Sequence, residues 1–267
     1  MLKRRASLAL ALSVMAFNGA TRAEDGGILV LGATGQLGIE IVKDLVEAGE
    51  KVKVLVRPTS NRDKLAGLDV TYAVGDILSD ADMEKVFTST PYRAVIDASG
   101  QPNGGDQTYY EKSQRVISKW AAAGKVGQII LHGATGAGDS AHMMIMENVP
   151  EYQRVSIASK GKAEDILKGS GVTYTIIRHL TLLPIETKES GRARLTTNQM
   201  AVGAVTRDGL ARLTMGCLHN PACFNMTFHA VDDDVTLSGR YETMWTRYRT
   251  VLKPYVFEAR DTPQRMD

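Results

Sequence analysis

Ile28-Leu29-Val30-Leu31-Gly32-Ala33-Thr34-Gly35-Gln36-Leu37-Gly38 carries a short apolar run into a G-x-x-G-x-x-G turn. Ile28 to Leu31 reads as a buried strand. Ile39, Ile41, Val42, Leu45 and Val46, with charged residues between them, read as the apolar face of a helix that stops near Gly49. A second strand, Lys51 to Val56, follows and ends at Arg57. Gly32 suits a tight turn, Gly35 lets backbone approach a pyrophosphate, and Gly38 lets the helix pack closely on the sheet. Together with Thr34, Gln36 and Leu37 at the helix N-terminus they form a candidate dinucleotide cradle, because the first amides of a helix face an anion there. A glycine pattern alone is weak evidence, whereas strand, turn, helix and second strand within about 30 residues are strong evidence.

The second strand ends in Arg57, where a binder of NAD more often carries an acid for the ribose hydroxyls. A guanidinium pairs instead with a 2′-phosphate, which makes NADP the expected cofactor. The competing reading is that Arg57 is a solvated strand end. Thr59, Ser60, Arg62 and Lys64 stand nearby as helpers.

The remaining chain continues the alternation. Val70 to Val74 is a third strand running into Gly75-Asp76-Ile77, and Asp82 to Phe87 begins the next helix. Ala94 to Asp97 is a fourth strand ending at Ala98-Ser99-Gly100. A helix from about Tyr109 to Ala123, a strand Gln128 to Leu131, a helix Gln153 to Lys168 and a strand Thr173 to Ile177 follow. This order predicts an α/β fold, a Rossmann-like doubly wound parallel sheet with its ligand at the carboxyl ends of the strands. Asp76 and Ile77 then flank an adenine, and Ala98, Ser99 and Gly100 lie beside the nicotinamide ribose.

Lys3-Arg4-Arg5, the apolar stretch Ala6 to Phe17 and the small residues around Ala20 to Ala23 read as a leader cleaved after Ala23, too short for an ordinary membrane span. The paired arginines resemble a twin-arginine signal, which exports folded, cofactor-loaded proteins. Lys3 and Ser7 depart from that pattern, and export of an apo protein is the alternative. Residues 24–267 then form one domain, placed in the periplasm or secreted. Cleavage removes four basic and no acidic residues, leaving 28 Lys and Arg against 30 Asp and Glu. A slightly acidic mature chain argues against a nucleic-acid partner.

Gly32 to Gly38, Gly75-Asp76, Lys160-Gly161-Lys162-Ala163-Glu164 and Ser170 to Arg178 resemble the atypical short-chain dehydrogenase/reductases, the NmrA-like NAD(P)-binding group. Thr206 to Ala211, Asn220-Pro221 and Asn225 to Phe228 extend the likeness over roughly residues 27–233. The resemblance implies an NAD(P) ligand and a small carboxyl-terminal substrate region, about residues 180–267. It also implies chemistry by a serine, a tyrosine and a lysine, the tyrosine four residues before the lysine. Lys160 matches the lysine, but Ser156 stands where the tyrosine is expected and His132-Gly133 where the serine is expected.

With that relay broken, His132 is the first substitute acid/base, since imidazole titrates near neutral pH, and a structural histidine is the competing reading. Tyr152, Tyr109 and Tyr110 are further candidates. Lys160 is itself a possible proton donor, and Ser156 can orient a water or substrate.

His142 to Met146 gives soft apolar cover for a bulky substrate, and no metal site is expected. Cys217 and Cys223 read equally as a disulfide or as two buried thiols. Tyr241, Trp245, Tyr248, Leu252 and Tyr255 make one helix face, for core packing, a homodimer contact or a substrate wall.

These readings converge on hydride transfer between NADP and a small apolar or aromatic carbonyl or alkene. The alternatives are a redox-neutral isomerase or lyase and a non-catalytic NADP-bound sensor or assembly factor.

Overall fold

The computed structural model describes residues 26–101, 105–142, 149–183, 187–188, 190–235 and 242. The leader, the Met143 to Met146 run and the aromatic tail helix lie outside these residues.

Strands β1 (Gly27–Leu31), β2 (Val52–Val56), β3 (Val70–Val74), β4 (Tyr92–Asp97), β5 (Gln128–Ala134) and β6 (Tyr174–His179) alternate with helices α1 (Gln36–Glu47), α2 (Asp80–Ser89), α3 (Tyr109–Ala123) and α4 (Glu151–Lys168). Then come β7 (Thr181–Leu182), β8 (Arg194–Thr196), β9 (Ala204–Val205), α5 (Arg207–Cys217) and β10 (Met226–Val231). The main sheet has the order β3-β2-β1-β4-β5-β6-β10-β8. All its pairings are parallel except β10 with β8. β7 and β9 pair separately. The order reverses between β1 and β4, the switch point where a doubly wound sheet opens a crevice.

Alternation within each strand feeds two cores, as a parallel sheet covered on both faces requires. Ile28, Val30, Val54, Ile96 and Ile130 pack with Ile41 and Leu45 of α1 and Leu210 and Leu213 of α5. Leu29, Leu31, Val95, Ile129 and Leu131 pack on the other face with Met83 of α2, Ile117 of α3 and Leu167 of α4.

The predicted strands and helices from Ile28 to Ile177 are all present, with shifted ends. β5 runs three residues past Leu131 because β6, itself extended to His179, continues the ladder through Ala134. α2 begins earlier than Asp82 because the Ser79 side chain accepts from the Asp82 amide and caps it. The four strands after β6 were not expected. β7 and β9 have two residues each and β8 has three, too few to show a period, and β10 is recruited by its neighbours.

Cys217 and Cys223 are bonded, with Cα atoms 5.4 Å apart. Both are buried beneath the sheet, and their carbonyls accept from Gln128 Nε2 (2.9 Å) and Thr175 Oγ1 (2.8 Å). Closing so short a loop is worth about 2 kcal/mol. The Cys217→Ser, Cys223→Ser variant is accordingly expected to lose about 2 kcal/mol in urea unfolding. No loss would show that the bond does not form in solution.

Candidate nucleotide site

The glycine turn sits at the switch point, and each of its tight contacts excludes a side chain. Gly32 has φ +76°, and a Cβ there would lie 2.6 Å from the Ala98 carbonyl oxygen. Ala98, Ser99 and Gly100, which leave β4, are thereby pressed against the turn from β1. A Cβ on Gly38 would lie 2.2 Å from the Gly32 carbonyl oxygen, so α1 approaches its own turn as closely as glycine permits. Gly35 is the exposed N-cap of α1 and makes no side-chain capping bond. Among the five described α-helices, α1 alone carries no acidic residue in its first turn. Its N-terminal end, flanked by Thr34, Gln36 and Leu37, therefore offers amides and a positive helix end to an anion. The arrangement fits a pyrophosphate.

Arg57 is exposed at the carboxyl end of β2, its amide donating to Ser60 Oγ at 3.0 Å. No partner of its guanidinium is recorded among the described residues. β3 ends beside it, where the Gly75 amide donates to the Val56 carbonyl. Asp76 is exposed, and its Oδ1 accepts from the Leu78 amide at 2.8 Å. Ile77, expected beside an adenine, instead turns its side chain into the core that includes Met83 and Tyr109.

Lys160 lies on α4 with Nζ 4.7 Å from the centre of the Tyr110 ring. A small cavity beneath it is lined by Asp97, Tyr110, Gln114, His132, Gly133 and Ala163. Ser156 is one turn earlier and half-buried. Tyr152 is 62% exposed, bonded to Gln153, and not part of that cavity.

His132 is buried. Thr214 Oγ1 donates to the Leu210 carbonyl (2.8 Å), so its 3.2 Å contact with His132 Nε2 assigns the ring proton to Nε2. Nδ1 is then a bare acceptor without a hydrogen-bond partner. Burial, aided by the Lys160 charge, pushes the imidazole pKa down to about 3. A ring held neutral in this way favours a structural role over the acid/base role expected for His132. Gly133 shows why no serine stands on this strand end, since a Cβ there would lie 2.7 Å from Glu164 Oε1.

Burial likewise lowers His179 well below its usual value and His229 to about 4. Depressed histidines are protonated in the unfolded chain before the folded one. Their contribution to stability is thus complete above about pH 6.5 and is lost as pH falls toward their folded values. The urea midpoint is expected to drop between about pH 7 and about pH 5. A flat profile would place these rings in water.

Two polar groups escaped the sequence reading. Asp97 was read only as the end of a strand, although strand alternation from Val95 already directs it inward. Arg178 is fully buried and bound by Glu164, Asp139 and Gln199. No local pattern discloses that network, because its members come from four separate segments.

A family model described as NAD(P)H-binding matches residues 32–221. The Photosystem II assembly factor Ycf39 of Cyanophora paradoxa is 27% identical over 155 residues, 57% of this chain and 44% of that protein. The chain thus matches less than half the length of that relative. Among solved structures, the anaerobillin reductase ChuY of Escherichia coli O157:H7 is 22% identical with a TM-score of 0.67, over 79% of this chain and 99% of that one. A wide-type short-chain dehydrogenase/reductase from Veillonella parvula, solved with NADP, is 16% identical with a TM-score of 0.61, over 79% and 96% of the two chains. These two share the fold. With the family match reaching from the glycine turn through α5, the chain belongs to the NAD(P)H-binding family, in keeping with the atypical short-chain dehydrogenase/reductase group that its own motifs resemble.

Proposed function

We propose that the chain is an exported NADP-dependent oxidoreductase acting on a small apolar or aromatic carbonyl or alkene. The observation that carries this reading is the uncapped, acid-free N-terminus of α1 behind Gly32 and Gly38, with Lys160 along the same rim of the sheet. In it, the Gly32 to Gly38 turn binds the pyrophosphate, Arg57 the 2′-phosphate and Lys160 the ribose, while Ala98, Ser99 and Gly100 wall the nicotinamide. The bound nicotinamide supplies or accepts the hydride. Residues from about 180 onward form the substrate side. Export draws support from the leader pattern and the buried disulfide, which belongs in an oxidising compartment.

Arg57→Ala is expected to weaken NADP binding about tenfold, near 1.4 kcal/mol, with NAD affinity little changed. Equal effects on both nucleotides would remove Arg57 from the 2′-phosphate site. The wider reading is tested by denaturing protein purified from the exported fraction and identifying released nucleotide by mass spectrometry. Stoichiometric NADP supports a resident cofactor, and neither released nor added nucleotide binding would end the reading.

A second reading is a nucleotide-bound sensor or assembly factor. It draws on Ser156 and His132-Gly133 at the places of the usual tyrosine and serine, and on the name of the Cyanophora relative. It predicts bound NADP without turnover of NADPH across a broad carbonyl panel. The redox-neutral isomerase or lyase differs from both in turning over substrate without net consumption of NADPH.

A further inference from the structure

The cavity beneath Lys160 contains a polar atom with nothing bonded to it. Gln114, on α3, is 1% exposed; its Nε2 donates to Ser118 Oγ at 2.9 Å, and its Oε1 has no hydrogen-bond partner. Leaving a buried acceptor bare is costly, so such groups are met by protein or by ordered water. Ser113, beside it in the cavity wall, gives its hydroxyl proton to the Tyr110 carbonyl at 3.2 Å and supplies no donor to Gln114.

Asp97 lines the same cavity from the end of β4, 4% exposed, its Oδ1 accepting from the Ser99 amide at 2.9 Å. Lys160 closes it from α4, with Nζ 4.7 Å from the centre of the Tyr110 ring. The Asp97 and Lys160 charges act on each other, yet among the described residues no direct ion pair joins them. Polar groups that face one space without touching are commonly bridged by water.

Size and lining both suit a single water. The centre of a water molecule can occupy about 10 Å³ of the cavity, close to the least that one molecule needs. A buried water makes about three hydrogen bonds, and the walls offer an ammonium donor, a carboxylate acceptor and an amide acceptor. A larger ligand does not fit, and a cation would meet the Lys160 charge.

We propose that this cavity is a resident water site and that Gln114, through that water, positions Lys160. The water accepts from the Lys160 ammonium and donates to Gln114 Oε1 and to the Asp97 carboxylate. One ammonium hydrogen is then turned to the water and another to the face of Tyr110, which leaves the third for the crevice. Asp97 and Lys160 keep their charges, and no proton changes hands. The water site stands on the cavity alone, while its service to a ribose rests on the nucleotide reading.

Oxygen-17 relaxation dispersion of water counts long-lived buried waters in the full chain. Nitrogen-15 relaxation of labelled lysine reads how firmly the Lys160 ammonium is held, and NADPH titration reads the crevice. Gln114→Met keeps most of the side-chain volume and removes the acceptor. It is expected to lose one long-lived water, to loosen the Lys160 ammonium and to weaken NADPH binding about fivefold. Ser118→Ala disturbs the same amide from its other end and should leave the water and Lys160 unchanged. Gln114→Leu serves if Gln114→Met fails to fold. An unchanged water count in Gln114→Met, a matching loss in Ser118→Ala, or a Lys160 ammonium indifferent to the lost water overturns the proposal. An unaltered chain that holds the water and orders Lys160 but binds no NADPH would remove the nucleotide reading and leave the water site standing. NADPH affinity that ignores a loosened Lys160 would remove only the lysine from the ribose.

Discussion

Glu164→Ala should destabilise the protein by about 3–5 kcal/mol, the cost of leaving a buried charge without its partner. Arg178 is fully enclosed, and Glu164, also enclosed, meets it with both carboxylate oxygens, at 3.1 Å to Nε and 2.5 Å to Nη2. Asp139 and Gln199 bond Nη1, but neither replaces the bidentate contact on the other side of the guanidinium. Gly133 and Gly138 show how closely the pair is packed, since a Cβ on either would lie within 3.0 Å of Glu164 or Arg178 atoms. The melting temperature should fall by on the order of 10 °C. Removing both charges, as Glu164→Met with Arg178→Met, should cost less than the two single changes together, because no ion is then stranded. A loss under about 1 kcal/mol in Glu164→Ala would mean that water reaches the guanidinium.

Gly38→Val should weaken NADP binding by about 100-fold, near 2.8 kcal/mol. The added carbon would begin 2.2 Å from the Gly32 carbonyl oxygen and 2.8 Å from Ala33 Cα, both backbone atoms that no side-chain rotation can move. Relief comes by pushing the first turn of α1 away from the β1 turn, which displaces the amides that, in the proposed function, face the phosphates. Overpacking also costs about 1–3 kcal/mol of stability, so titration calorimetry is paired with a thermal melt to separate the two losses. A folded variant with wild-type NADP affinity would show that the nucleotide does not lie on this turn.

The two predictions mark different depths of legibility. Gly38 is visible in the chain because the turn is local: a strand, three glycines at fixed spacing and an amphipathic helix are all consecutive. The Arg178 network is invisible there, although Arg178 itself was noticed in a motif. Its partners on α4, after β5 and before β9 meet only once the sheet has stacked β5 against β6.

The sequence by itself determined the doubly wound sheet, the glycine cradle, Arg57 at the end of β2 and the lysine on α4. The first three follow from periodicity or spacing within a few turns of chain, where local sterics and burial pattern suffice, and the lysine from the family resemblance of its motif. By the family resemblance it also set Ser156 at the place of the usual tyrosine and His132-Gly133 at that of the serine. Tertiary structure decided the surroundings of the other candidates. It buried His132 against Thr214 and so kept its ring neutral, left Tyr152 in water, and turned Ile77 into the core. It joined Cys217 to Cys223 where the chain alone left two readings. It also brought Asp97 and Lys160, 63 residues apart in sequence, to one cavity. Burial and partnership set the charge state of a side chain, and both are sums over segments that only the folded sheet brings together.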